Sequence, residues 1–265
     1  MGMTLFRLLL NLSLPVLATA DSSKLLWSDE FSGKAGSKPD SSKWTYDQGA
    51  TGWGNRELEN YTDQPDNAFL DGQGHLIIRA KKDAEGHFTS ARLKTQGLFA
   101  FAYGRAEARM KLPRGQGLWP AFWMLGTDIA QVGWPACGEV DIMENLGREP
   151  TLVHGTVHGP GYSGKHAISA QYTLPGAPVL ADDFHLYAAD WRPSRIEFSI
   201  DGHVYATFTS ASLPPGAKWV YNHPYFIILN LAVGGVWPGN PDASTTFPQD
   251  LTVDYVRVYK AMLGK

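Results

Sequence analysis

Strand-like runs of apolar and β-branched residues dominate this chain, several of them alternating with the two-residue period of strands rather than the 3.6-residue period of helices. The pattern predicts strands over residues 75–80, 104–112, 121–125, 139–144, 151–158, 184–191, 195–200, 204–209, 225–233 and 251–259. Asp201-Gly202, set between two alternating runs, is a hairpin signal. Glycine and proline break almost every other junction, and no amphipathic helical stretch of convincing length occurs. Many short strands with close turns predict an all-β fold, a β-sandwich or jelly roll. One sheet would be concave, lined by polar and aromatic residues, with apolar side chains filling the space between the sheets.

One strand breaks its own pattern. Glu139-Val140-Asp141-Ile142-Met143-Glu144 places three carboxylates in an apolar, β-branched run. Side chains alternate faces along a strand, so Glu139 and Asp141 share one face and Glu144 falls on the other. A lone carboxylate buried between sheets would be costly. One extra residue within 141–144, a β-bulge, returns Glu144 to the face of its partners. Carboxylates on a strand commonly mark a solvated face, but the neighbourhood argues for chemistry. Trp119, Trp123 and Trp134 lie close by in sequence, and aromatic rings beside paired acids suit a sugar. Two carboxyl groups flanking a scissile bond are what acid-assisted glycoside hydrolysis requires. Trp119 and Trp123 are four residues apart and share a face of a regular strand, where core packing is the alternative to sugar contact. Trp53 and Trp134 read as loop residues of a groove wall, and Trp237 as a loop residue capping one end. His154, Thr156 and His158 alternate onto one face, with His158 the better groove candidate for holding a carboxylate or a sugar. Arg105, Glu107 and Arg109 alternate as a salt-bridged polar face, from which Arg105 is a weaker substrate candidate, as is Gln249.

Composition narrows the class. The chain has 265 residues and a formal net charge of −3. Residues 1–20 hold Arg7 as their one charged side chain, a mostly apolar run and Ala18-Thr19-Ala20, which together predict a secretory signal peptide cleaved before Asp21. The remaining 21–265 suit one domain, expected to be soluble, exported and monomeric, with no membrane contact after cleavage. Mild acidity argues against nucleic acid, whose phosphates call for a basic patch, and fits a neutral polymer. Cys137 is the single cysteine, so no intrachain disulfide forms, and a small buried residue is its expected role.

The acidic run resembles the signature of glycoside hydrolase family 16, in the bulged form of laminarinase-type endo-β-1,3-glucanases. The similarity extends, in order, to Gly52-Trp53-Gly54-Asn55-Arg56-Glu57-Leu58-Glu59-Asn60-Tyr61, to 117–126, to His154-Gly155-Thr156-Val157-His158-Gly159-Pro160-Gly161, to Leu229-Asn230-Leu231-Ala232-Val233-Gly234-Gly235 and to Phe247-Pro248-Gln249-Asp250. The resemblance implies a concanavalin A-like jelly roll with an open groove, cleavage inside a β-glucan chain and retention of configuration. It implies Glu139 as nucleophile, Glu144 as general acid and base, Asp141 between them, and Asn55 as a sugar-binding residue. It implies no cofactor for catalysis and, as in some relatives, a structural calcium at Glu30, Gly74 and Asp254. A mixed-linkage β-1,3-1,4-glucanase, a galactan hydrolase and a non-catalytic glucan-binding module are the competing readings.

Overall fold

The computed structural model describes residues 24–261, so the expected leader at 1–20 lies outside the described residues. In chain order the strands are β1 (Leu25–Asp29), β2 (Thr45–Asp47), β3 (Glu59–Tyr61), β4 (Ala68–Leu70), β5 (Leu76–Lys82), β6 (Phe88–Ser90), β7 (Arg92–Lys94), β8 (Gly104–Lys111) and β9 (Leu118–Gly126). They continue as β10 (Glu139–Glu144), β11 (Leu152–His158), β12 (Ile168–Thr173), β13 (His185–Arg192), β14 (Arg195–Ile200), β15 (His203–Thr209), β16 (Tyr225–Val233) and β17 (Gln249–Lys260). One four-residue helix, α1 (Ile129–Val132), precedes β10.

The strands form two open sheets, as the alternation predicts. One runs β12-β11-β10-β9-β16-β7-β2, and the other β15-β14-β13-β8-β17-β5-β6-β3, with β1 beside β17 and β4 beside β5. Alternate residues of the first sheet, among them Phe122, Met124, Val140, Leu229 and Leu231, pack against Ala106, Met110, Phe198 and Val256 of the second. Burial of each large apolar side chain contributes roughly 1.5–3 kcal/mol. Trp191 anchors one end of the core with edge-on contacts to Phe101 and Tyr225. Between β14 and β15, Asp201 and Gly202 both take positive φ, +50° and +79°, as a two-residue hairpin requires.

The outer face of the second sheet is salt-bridged. Arg105 contacts Glu107 at 2.8 Å and Asp190 at 2.6 Å, and Arg109 contacts Asp254 at 2.7 Å. Arg105 therefore lies on the sheet opposite the groove described below, and its reading as a substrate contact is corrected. Gln249 opens β17 on the same sheet, bonding the Arg114 N–H and Thr246, so it too is removed from the substrate set. Both assignments rested on local pattern, which does not tell which sheet a strand joins.

Candidate active site

The bulge lies where the parity argument puts it. Against β9 the register shifts between Asp141 and Met143, and against β11 between Asp141 and Glu144. Val140, Ile142 and Met143 all enter the core, while Glu139, Asp141 and Glu144 all face a groove across the seven-stranded sheet. The groove has a volume of about 840 Å³. Its floor comes from alternate positions of adjacent strands: Trp119, Ala121 and Trp123 on β9, Asn230 and Ala232 on β16, Arg92 on β7, and His154, Thr156 and His158 on β11. Trp53 and Asn55 form part of one wall, Trp134 stands beside Glu139, and Trp237 packs edge-on to Trp119 with ring centroids 5.3 Å apart. Trp119, Trp123, Trp53, Asn55, Trp134, His158 and Trp237 are thus all brought together with the acids.

Each glutamate is held by a tryptophan. Trp134 Nε1 donates to Glu139 Oε2 at 2.7 Å, and Trp119 Nε1 donates to Glu144 Oε1 at 3.0 Å. His158 Nδ1 accepts the Gly164 N–H at 3.2 Å, which turns Nε2 toward the acids. Nε2 lies 3.0 Å from Asp141 Oδ2 and 3.7 Å from Glu139 Oε1. His154, also in the groove floor, is held by Glu149 at 2.9 Å and packs edge-on against Trp237.

Burial raises the pKa of all three acids above the ordinary carboxyl range. The Asp141 charge raises Glu139 and Glu144 further, whereas His158 and the indole N–H groups oppose the rise. Glu139 and Asp141 lie within hydrogen-bonding reach and titrate as a unit. The Trp134 N–H and His158 favour charge at the Glu139 end. Glu144 faces the charge of both other acids, so the proton is retained there most strongly. The row can hold an anion at one end and an acid at the other.

Among the described residues, Glu139, Asp141 and His158 also form a group whose possible ligand atoms lie within 4.8 Å of one another. Cys137 is fully buried, in a small cluster with Leu125, Phe226 and Ile228 beneath Trp123. Burial pushes its thiol up to about 11, so it is a packing residue and no nucleophile.

Several groove residues have weak sequence signals. Asn230 is a polar side chain in the otherwise apolar β16, and that exception is visible in the sequence. Arg92 is not, because β7 has three residues and no readable alternation. Its guanidinium lies 4.9 Å from the Trp53 ring and 4.6 Å from the Trp123 ring, and Asp47 holds Nε at 3.0 Å. Ser169 and Gln171 of β12 extend the floor beyond β11.

Two open sheets, a groove walled by indoles and a bulged row of acids inside it define a glycoside hydrolase of the jelly-roll class. The sequence model for "Glycosyl hydrolases family 16" matches residues 55–257, and the chain belongs to that family. A β-glucanase of Rhodothermus marinus is 44% identical, across 89% of this chain and 85% of its own. The endo-β-1,3-glucanase of Pyrococcus furiosus superposes with a TM-score of 0.85 at 49% identity, covering 91% of this chain and 96% of that one. The catalytic domain of a laminarinase from Thermotoga petrophila RKU-1 gives 0.84 at 46% identity, covering 90% and 98%.

Proposed function

We propose that this protein is a retaining endo-β-1,3-glucanase that cleaves internal bonds of laminarin-like β-glucans. The observation that carries the reading is the row of Glu139, Asp141 and Glu144 on one face of β10, each glutamate bonded by an indole N–H inside an open, tryptophan-walled groove. An open groove admits a chain at any point along its length, which suits internal cleavage. Glu139 attacks the anomeric carbon while Glu144 gives its proton to the departing glycosidic oxygen. The resulting glycosyl ester on Glu139 is hydrolysed by a water whose proton Glu144 takes, so two inversions retain the configuration. Asp141, with His158 beside it, adjusts the charge of Glu139 between the two steps. A binding module without activity would lack one of the two glutamates, and both are present.

The test is product analysis on laminarin, lichenan, barley glucan and agarose in parallel, with NMR of the nascent anomer. Short β-anomeric oligosaccharides from laminarin are expected. Binding to laminarin without cleavage of any polymer would overturn the enzyme reading, and a faster rate on lichenan would favour the mixed-linkage one.

The same reading includes export by the 1–20 leader, action as a monomer away from membranes, and a structural calcium. Pairing of β1 and β5 with β17 brings Glu30, Gly74 and Asp254 to one region of the outer sheet. The Glu30 carbonyl is 3.9 Å from where a Gly74 Cβ would stand, and Arg109 occupies one Asp254 oxygen. Backbone carbonyls and a carboxylate oxygen are the donors calcium takes, and an ion there would brace the sheet and take no part in the chemistry. Chelation should then lower the melting temperature, and added calcium should restore it. A melting curve indifferent to both would remove the ion from the account.

A further inference from the structure

A second pair of acids lies behind the groove wall, and the cleavage reaction does not use it. Glu57 ends the loop that carries Trp53 and Asn55, and it lines the groove. Glu59 opens β3 and is wholly buried, with 0% exposure. Its Oε2 accepts the Val233 N–H at 2.6 Å, but its Oε1 is buried with no donor directed at it. The group facing Glu59 within hydrogen-bonding reach is the Glu57 carboxylate. Both Glu57 oxygens already accept, from Asn55 Nδ2 at 2.9 Å and from Tyr61 Oη at 3.2 Å. Two acceptor-only carboxylates facing each other repel, and Glu59 has no water to relieve its charge. A single proton between them turns the orphaned oxygen of Glu59 into a donor.

We propose that Glu59 is a positioning residue of the groove, donating an O–H to Glu57 so that Glu57 can hold Asn55 and, through Tyr61 and Asn230, Trp123. The hydrogen bonds run in one direction. Trp123 Nε1 donates to Asn230 Oδ1 at 2.8 Å, Asn230 Nδ2 to Tyr61 Oη at 3.0 Å, and Tyr61 to Glu57. Every donor points toward the Glu57 carboxylate, so both of its oxygens act as acceptors. The Asn55 carbonyl accepts the Val236 N–H at 2.8 Å, and the Val233 carbonyl accepts the Leu58 N–H at 2.8 Å. The same pair of acids thus braces the turn that presents Trp237.

The titratable groups facing Glu59 are Glu57 from its loop and Tyr61 from β3, and Arg92 from β7 acts on Tyr61. Arg92 is the cation of this set and is already engaged by Asp47. Burial, then the Glu57 charge, raises Glu59 far above the ordinary carboxyl range. Ionisation at high pH removes the donor, sets two charges side by side and releases Asn55 and Tyr61.

The activity arm of the test rests on the glucanase reading, and the spectroscopic arm does not. Glu59→Gln keeps a neutral donor, and Glu59→Leu removes it. KM and kcat for laminari-oligosaccharides are measured across neutral and alkaline pH, together with infrared difference spectra of variant against wild type. We expect Glu59→Leu to raise KM about tenfold with a smaller change in kcat, and Glu59→Gln to stay within about twofold of wild type at neutral pH. The wild-type KM should climb in the alkaline range and that of Glu59→Gln should not. The Glu59→Gln difference spectrum should show loss of one buried carboxylic acid band. A Gln variant as damaged as the Leu variant, or a difference spectrum showing loss of a carboxylate band instead, overturns the proposal. If the Leu variant does not fold, the Gln variant and its spectrum decide alone. If no glucan is cleaved, the spectrum still decides the proton while the functional reading fails separately.

Discussion

The Trp134 indole N–H sits 2.7 Å from Glu139 Oε2, on a ring that is half exposed. A donor aimed at a carboxylate stabilises the anion, against the burial and the Asp141 charge that favour the acid. Trp134→Phe keeps an aromatic ring and loses the donor. We expect kcat/KM to fall about tenfold and its acidic limb to move to higher pH, because Glu139 then surrenders its proton later. The melting temperature should barely change, since the ring is not core. A pH–rate profile with thermal melts checks both, and an unmoved acidic limb would show that the bond does not tune the nucleophile.

The two glutamates should separate by leaving group. Glu139→Ala should abolish hydrolysis while glucan binding persists, and azide should rescue it as a glycosyl azide of inverted configuration. Glu144→Gln should lose activity heavily on polymers and much less on aryl glycosides, whose leaving groups need no acid. Equal losses on both substrates would argue against Glu144 as the proton donor.

Glu144 also carries a stability cost with a definite pH sign. Burial first, then the Asp141 charge, raises its folded-state pKa well above the ordinary 4.5. Between those two values the folded protein keeps a proton that the unfolded chain has released, so stability falls as pH rises. Below the unfolded value both states are protonated and the cost vanishes. Glu144→Gln is neutral throughout and should melt about 3 °C or more above wild type at pH 7–8, with the gap closing near pH 4. Calorimetry across that range is the check. A gap independent of pH would assign the gain to packing instead.

The bulge was legible because parity alone put Glu144 on the wrong face and made its burial costly. The long strands were legible because sustained apolar or alternating runs bounded by glycine and proline read as strands. The three-residue strands were not. β2, β3 and β7 carry Asp47, Glu59 and Arg92, and three residues cannot display a period. Those residues are placed by pairing with β7, β6 and β16, at long sequence separation. Arg105 failed differently. Its alternation gives a face of the strand and does not say which sheet the strand joins.

Arg92 lies between the rings of Trp53 and Trp123, 4.9 Å and 4.6 Å from their centroids. Asp47 holds it from behind at 3.0 Å and holds Lys94 at 2.5 Å. A planar guanidinium can lie against two indole faces at once while keeping its ion pair with Asp47, and a lysine ammonium cannot. The two rings belong to different parts of the groove, Trp53 to a loop and Trp123 to β9, so the cation fixes the spacing between them. Arg92→Lys should therefore raise KM for longer laminari-oligosaccharides about fivefold to tenfold. The kcat should change less, because the β10 acids are bonded by Trp119 and Trp134 rather than by this pair. Asp47→Asn should act in the same direction with a smaller effect, since it loosens Arg92 without removing it. Steady-state kinetics across chain lengths decides the matter. A loss confined to kcat, with KM unchanged at every length, would mean that the stack supports catalysis and not sugar binding.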